Sequence, residues 1–135
     1  MRLFGSSKPN ISKMEKKGDI QGLIQALSNS DSKIRFQAVC SLGRLKANSA
    51  IDNVISVLKE DQDYHVRWSA AKALGVLGGT TAVYELMRAL DQRDVQVRAG
   101  ALQALGEIRD PSSVSNILKC LSDEDTFIRE TAEKA

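Results

Sequence analysis

Apolar residues recur along this chain at the spacing that places them on one face of an α-helix. Each group of four follows the i, i+3, i+4, i+7 pattern, and the groups return at intervals of about 31 residues. Each group predicts an amphipathic helix with one buried stripe, which we call an A helix. The four groups are Ile20, Leu23, Ile24 and Leu27; Ile51, Val54, Ile55 and Leu58; Val83, Leu86, Met87 and Leu90; and Val114, Ile117, Leu118 and Leu121.

A second pattern follows each apolar group and has the frame D-x-x-[I/V]-R-x-x-A, continued in three of the four copies by x-x-x-L-G. It predicts a second helix, the B helix, whose N-terminus the aspartate caps. The arginine is expected to bond to carboxylates or carbonyls of its own or the adjacent unit, which would form a structural ladder between repeats. The ladder residues are Asp31 and Arg35, Asp63 and Arg67, Asp94 and Arg98, and Asp125 and Arg129.

The linkers between these predicted helices are short and polar, so neighbouring helices should pack as antiparallel hairpins. A single hairpin cannot bury its apolar groups alone, and successive hairpins must therefore stack. The pattern predicts an all-α protein, a right-handed α-solenoid of four helical hairpins. We expect one domain over residues 1–135, with a capping helix at about 9–17 that has Pro9 in its first turn. The expected repeats span about 19–48, 49–80, 81–111 and 112–135.

Single glycines near the ends of the B helices could suggest phosphate-binding loops. Gly43, Gly75 and Gly106 each stand alone within a predicted helix, where glycine costs about 1 kcal/mol relative to alanine. Close approach of neighbouring helices explains them better than a phosphate site does.

Composition agrees with a helical protein, because only 4% of the residues are aromatic while 42% are hydrophobic. The net charge is +2, but residues 1–17 alone carry +4, which leaves the repeats mildly acidic. Nucleic-acid binding is therefore not favoured, since it requires clustered cations. The chain has no secretion-type h-region and no apolar run long enough for a membrane helix, so a cytoplasmic location without membrane contact is expected.

The repeated frame resembles the HEAT-like repeat of the phycobilisome lyase class over residues 19–135. The resemblance implies that the B helices line a concave, ligand-facing side. It also implies a possible relation to bilin lyases. Deoxyhypusine hydroxylases build a di-iron site on a similar scaffold from several His-Glu pairs, which this sequence lacks, since His65 is its only histidine.

Eight residues that the repeat frame does not dictate are the candidates for binding a partner. Trp68 is predicted to be exposed, and Phe36 holds the same position in the preceding unit, as in a binding hot spot. The alternative, that both rings pack as core between repeats, stays open. Ser69, Ala99 and Gly100 are also expected to face away from the core. The candidate set is Phe36, Cys40, Arg44, Tyr64, His65, Trp68, Lys72 and Gln103.

The two cysteines lie in different columns of the repeat and should differ in reactivity. Cys40 is expected to face solvent, with nothing basic close enough to imply a low pKa, whereas Cys120 falls in a small, partly buried column. Neither forms a CxxC motif, and free thiols are expected.

No catalytic residue, cofactor or metal site is predicted. The leading hypothesis is a non-enzymatic scaffold that binds a protein or peptide on the concave face of the B helices. The alternative is a subunit or chaperone related to bilin (phycocyanobilin) lyases, and nucleic-acid binding is less favoured. Self-association through an open C-terminal face is a further possibility.

Overall fold

The computed structural model describes residues 8–135, which form helices joined by short turns. Residues 1–7, including the cation Arg2, lie outside the described part of the chain. Two short 3-10 helices, Asn48–Ala50 and Pro111–Ser113, precede two of the α-helices. The α-helices are α1 (Ile11–Lys17), α2 (Ile20–Ala26), α3 (Ser32–Arg44), α4 (Ile51–Glu60), α5 (Tyr64–Leu77), α6 (Thr80–Ala89), α7 (Val95–Ile108), α8 (Val114–Cys120) and α9 (Thr126–Lys134).

Helices α2, α4, α6 and α8 are the A helices, and α3, α5, α7 and α9 are the B helices. Each A helix packs against the B helix that follows it, and each B helix packs against the next B helix along the chain. The all-α solenoid of four stacked hairpins is therefore confirmed. Within residues 8–135, no helix combines the length and the apolar character needed to cross a lipid bilayer.

Four aspartates begin the four B helices as N-caps. The carboxylate of Asp31 accepts a hydrogen bond from the backbone N–H of Lys33 at 2.9 Å, and that of Asp63 accepts one from His65 at 2.8 Å. The carboxylates of Asp94 and Asp125 do the same for Val97 at 3.1 Å and Phe127 at 2.9 Å. Each carboxylate therefore satisfies a donor that the helix itself leaves free.

The first helix begins two residues later than the sequence pattern predicts. Asn10 is the N-cap of α1, because its side chain accepts a hydrogen bond from the N–H of Lys13 at 3.0 Å. Pro9 consequently lies before the cap and not in the first turn. The helix ends at Gly18, whose φ of 67° is in the left-handed region that glycine tolerates. Ile11 is buried and Met14 packs against the core, so α1 covers the first hairpin.

Small residues allow the B helices to approach one another closely. A Cβ atom added to Gly75 in α5 would lie 3.0 Å from Cβ and 3.1 Å from Cα of Ala104 in α7, and α5 and α7 form the most extensive helix pair. At Gly43 in α3 the nearest atom would be Cβ of Ala73, at 3.3 Å. The A helices pack less extensively against one another. We infer from this difference that the stack curves with the B helices on its inner side.

Replacing Gly75 with alanine should destabilise the protein, although alanine is the better helix former. The new methyl group would press on backbone atoms of α7. Overpacking costs about 1 to 3 kcal/mol, against a helix-propensity gain of about 1 kcal/mol, for a net loss of up to about 2 kcal/mol. Chemical denaturation measures this loss. Gly43→Ala is the matched control, because its nearest contact is longer, and an equal or larger loss in that control would contradict the explanation.

The fourth apolar stripe is less buried than the other three. Its members Val114, Leu118 and Leu121 are 52%, 56% and 41% exposed, whereas the residues that occupy the same columns in the first three repeats are buried or half-buried. Only Ile117 of this stripe packs against the core. The periodicity therefore predicts helix α8, but most of the stripe that it predicts lies at the surface.

Candidate functional site

The ladder arginines bond to residues other than the cap aspartates. Arg35 donates from Nε and Nη2 to the two carboxylate oxygens of Asp61 at 2.8 and 3.0 Å, while its Nη1 donates to carbonyls of its own loop. Arg67 donates to the side chain of Gln92 at 3.1 Å, and Arg98 lies 3.9 Å from a carboxylate oxygen of Asp123. Each of these acceptors belongs to the following hairpin, so the arginines do join adjacent repeats.

The acceptors form a column that the sequence analysis did not connect with the ladder. Asn29, Asp61, Gln92 and Asp123 each stand two residues before a cap aspartate, at the spacing of the repeat. The side chain of Asp61 is only 7% exposed, because it lies between two hairpins. The regular spacing of these four residues could have identified the column from the sequence. It was missed because the residue type changes among Asn, Asp and Gln.

Trp68 lies at the centre of the B-helix surface and is half-buried. Its ring stacks on Phe36 with centroids 6.4 Å apart and planes inclined by 15°, and both rings pack against the hydrophobic core. The ammonium group of Lys72 lies 4.7 Å from the indole centroid. The rings therefore join adjacent repeats, as the packing interpretation predicts, and they also present part of their surface to grooves. That they bind a partner stays a prediction.

Three residues expected to face away from the core are buried. Ser69 donates from its hydroxyl to the carbonyl of Val66 at 2.7 Å, and Ala99 and Gly100 lie within the packing between B helices. A Cβ atom at Gly100 would lie 2.8 Å from Cδ1 of Trp68. Gly100 thus leaves the space that the indole occupies, because the tight packing of α5 on α7 admits no side chain there.

Three grooves meet at Trp68. The largest, 670 Å³, runs between α7 and α9 and includes Gln103 and Phe127. A second of 540 Å³ includes Phe36 and His65. The third, 410 Å³, brings together five of the candidate residues: Phe36, Cys40, Arg44, Trp68 and Lys72. Of the eight candidates, the structure thus places seven in grooves that share one tryptophan.

Tyr64 stands apart from these grooves at the start of α5. Its ring lies 4.2 Å from that of the exposed His65 and is itself 40% exposed. It therefore belongs to the outer edge of the candidate surface.

Charge is segregated on this fold in a way that net charge does not reveal. The lining of the three grooves contains six cationic side chains, of which Arg44 is paired with Glu15, against two carboxylates, Asp63 and Glu107. Acidic residues are concentrated instead in the loops before the B helices. The B-helix surface around Trp68 is therefore locally cationic, although the repeats as a whole are mildly acidic. The cationic lining residues are Lys33, Arg44, Lys46, Lys72, Arg109 and Lys134.

The two thiols are alike in one respect that the sequence analysis did not anticipate. Cys40 and Cys120 are both free and half-buried, and burial raises the pKa of each thiol. Arg44 and Lys72 favour the thiolate of Cys40, but their effect is smaller than that of burial. The expectation of a solvent-facing Cys40 is therefore met only in part, because the side chain is half-buried and lines a groove that α1 and α3 border.

Arg44 is held by the capping helix and is not a free cation. Glu15 of α1 accepts two hydrogen bonds from its guanidinium, at 2.8 and 2.9 Å, and a third from the hydroxyl of Ser41 at 2.6 Å. These bonds, with the Arg44 bond as the main cause, lower the pKa of Glu15 from 4.5 to about 2. The contact fastens α1 to the end of α3 that borders the 410 Å³ groove.

Replacing Glu15 with glutamine should loosen α1 at neutral pH. A carboxylate whose pKa is lower in the folded state stabilises the fold above its ordinary pKa of 4.5, and this contribution disappears as the pH falls through about 2. The ratio of α1 amide exchange rates between variant and wild type should therefore be highest near pH 7 and approach one near pH 2. Hydrogen exchange at matched pH measures this ratio.

The exposed Glu130 on α9 provides the control, because Glu130→Gln should leave exchange in α1 unchanged. A ratio for Glu15→Gln that stays constant over the whole pH range would contradict the role of the ionised carboxylate.

Stacked two-helix units joined by an arginine ladder define this protein as a helical-repeat solenoid. The family model described as HEAT repeats matches residues 20–95 and 85–135, which include all four hairpins. The chain belongs to the HEAT-repeat family.

Two similar proteins come from the same cyanobacterium and carry related names. "Phycocyanobilin lyase subunit alpha" of Nostoc sp. (strain PCC 7120) is 37% identical over 79 residues, which are 53% of this chain and 29% of that protein. A chain of the complex of CpcE and CpcF of phycocyanin lyase from Nostoc sp. PCC7120 has a TM-score of 0.72 at 28% identity. That match covers 87% of this chain and 44% of the other.

An engineered protein is similar in fold alone, with a TM-score of 0.62 at 22% identity over 93% of this chain and 64% of the engineered chain. The chain thus spans less than half the length of the lyase proteins that it matches. The predicted resemblance to HEAT-like proteins of the phycobilisome lyase class is confirmed. These likenesses also favour the bilin-lyase alternative over a general protein-binding scaffold.

Proposed function

We propose that this protein is a bilin-handling subunit related to phycocyanobilin lyases, with its ligand bound in the grooves around Trp68. The observation that carries the proposal is the Phe36–Trp68 stack, bordered by Lys72 and opening into grooves with a cationic lining. The sequence and structural likeness to lyase proteins of Nostoc supports the choice of ligand.

The chemistry of these grooves suits a conjugated molecule that carries carboxylates. An open-chain tetrapyrrole offers flat rings that can stack on Trp68, and its propionate groups can pair with cations such as Lys72 and Lys46. Groove volumes of 410 to 670 Å³ lie within the range of about 300 to 1,000 Å³ that small-molecule sites occupy. An aromatic centre with cations around it therefore matches both parts of such a ligand.

The role that we propose is to bind and present the bilin, and we assign no residue to bond making. Neither thiol is activated, because burial raises the pKa of Cys40 and of Cys120. The basic grooves and the B helices would hold the bilin in a fixed position and orientation relative to one acceptor protein. The proposal is therefore that of a subunit or chaperone.

Purified protein mixed with phycocyanobilin tests the binding step. We expect a red-shifted or sharpened bilin absorption band and quenching of Trp68 fluorescence, which is informative because Trp68 is the only tryptophan in the chain. Addition of apo-phycocyanin should then increase the yield of correctly coloured phycocyanin over that of the bilin alone.

The absence of both a change in bilin absorption and quenching of Trp68 fluorescence would overturn the proposal. Binding of apo-phycocyanin without any bilin effect would instead support the scaffold hypothesis derived from the sequence.

A further inference from the structure

The carboxylate of Glu15 fills a polar cradle that two side chains of α3 form. The hydroxyl of Ser41 donates to it at 2.6 Å, and Arg44 donates from Nε and Nη2 at 2.9 and 2.8 Å. We call the Ser41 hydroxyl and the Arg44 guanidinium together the α3 cradle. Three donors directed at one carboxylate, two of them charged, make the cradle a binding site for a carboxylate group.

The repeat frame does not require the α3 cradle. In the two columns that Ser41 and Arg44 occupy, α5 has alanine and valine, and α7 has alanine and glutamate. Arg44 is also not a ladder arginine, because its acceptor lies in the capping helix and not in the following hairpin. The first B helix therefore carries two polar side chains that hairpin stacking does not explain, and both bind the same carboxylate.

The α3 cradle borders the grooves in which we place the bilin. Arg44 lines the 410 Å³ groove together with Trp68, and it also lines a groove of 340 Å³ between α1 and α3. Phe36 and Cys40 line both grooves as well, so these grooves meet along one row of α3 side chains. The side chain of Arg44 is 63% exposed. A molecule in the 410 Å³ groove therefore meets its guanidinium directly.

The helix that supplies Glu15 is weakly held. α1 has seven residues, which is too few for a helix to be stable by itself. Ile11 is its one buried residue, Met14 is half-buried, and Lys16 and Lys17 are exposed. The Glu15 carboxylate supplies the polar attachment of α1 to α3. Departure of this carboxylate from the cradle should therefore make α1 open more often.

We propose that the α3 cradle is a carboxylate site for the bound bilin, and that Glu15 occupies the cradle until a propionate of the bilin replaces it. The inference rests on the proposed function, since its ligand is the bilin of that proposal. A tetrapyrrole stacked on Trp68 keeps its propionates near Arg44. Its carboxylate then competes with the tethered Glu15 as a second tethered group and not as a dilute one.

The competition couples ligand binding to the opening of α1. A ligand that takes the cradle loosens α1, and by linkage the removal of the Glu15 carboxylate strengthens binding of that ligand by a similar factor. Pairing of the propionates with Lys46 and Lys72 alone would have no such effect on α1. The response of α1 therefore distinguishes the cradle from the other cations of the groove.

Phycocyanobilin and its dimethyl ester, which has no carboxylate, test the inference at pH 7. Titrations followed by absorbance should show that Glu15→Gln binds phycocyanobilin roughly fivefold or more tightly than wild type does, as expected for coupled sites. Its affinity for the ester should equal that of wild type. Glu60→Gln is the matched control, because it changes the net charge equally at an exposed position at the end of α4. It should leave both affinities unchanged.

Hydrogen exchange of wild-type α1 is a second measurement that needs no variant. Saturating phycocyanobilin should raise the exchange rates of the α1 amides by a factor similar to the gain in affinity, whereas saturating ester should not. With bilin bound, unchanged or slower α1 exchange, an equal response to the ester, equal affinity of Glu15→Gln and wild type, or an equal gain in Glu60→Gln would each overturn the inference alone. Absence of bilin binding to both wild type and Glu15→Gln would overturn the proposed function as well.

Discussion

Replacing Asp61 with alanine should lower the free energy of unfolding by about 2 to 4 kcal/mol, between the values for an exposed and a fully buried ion pair. The carboxylate accepts two hydrogen bonds from Arg35, and the side chains are 7% and 15% exposed. Without Asp61, the guanidinium stays in the space between two hairpins with only carbonyl partners. The loss therefore comes mainly from an uncompensated charge.

Urea denaturation of Asp61→Ala and wild type gives this difference directly. Glu60→Ala is the matched control, because Glu60 is the adjacent acid but is exposed, and its change should be within about 0.5 kcal/mol. A double variant, Arg35→Leu with Asp61→Leu, removes both charges and should recover part of the loss. Equal effects of Asp61→Ala and Glu60→Ala would show that the pair does not connect the repeats.

Replacing Trp68 with alanine should weaken phycocyanobilin binding roughly thirtyfold, which corresponds to about 2 kcal/mol, the threshold for a binding hot spot. The indole borders all three grooves, stacks on Phe36 and carries Lys72 over its ring. Its removal takes away the stacking surface and lets the ammonium of Lys72 move. Titration of protein into a bilin solution, followed by absorbance, measures the affinity of wild type and variant.

The exposed Tyr84 on α6 supplies a control aromatic residue, since Tyr84→Ala removes a ring far from the B-helix surface. It should leave bilin affinity unchanged. Trp68→Phe should keep most of the affinity, because it preserves an aromatic face. Unchanged affinity in Trp68→Ala, with the fold intact by circular dichroism, would place the bilin elsewhere or show that none is bound.

Prediction and structure differ most in the burial of Trp68 and the side chains around it. The sequence places Trp68 in a variable column of a B helix, but it does not say how close α5 and α7 approach. That distance is set by Gly75 against Ala104 and by Gly100 against the indole itself. Side chains expected at the surface, such as Ser69 and Ala99, are buried for the same reason.

The periodicity of the sequence alone determined the all-helical fold, the number of hairpins and the four cap aspartates. These features depend on local spacing, because a helix stripe and an N-cap are defined within a few residues of each other. Periodicity also identified the arginine column, and with it the HEAT-like resemblance.

Only the tertiary structure decided what each arginine contacts, which cations line the grooves and how deeply each apolar stripe is buried within residues 8–135. Arg35 and Asp61 are 26 residues apart and meet because one hairpin stacks on the next. Glu15 reaches Arg44 for the same kind of reason, since α1 folds back on α3. The stripe of α8 has the same pattern as the others, yet among residues 8–135 it is more exposed, because burial depends on which helices pack against a stripe and not on the stripe's own residues. The local sequence pattern specifies each repeat unit. The contacts between units depend on how closely neighbouring hairpins pack, which the sequence of one unit does not determine.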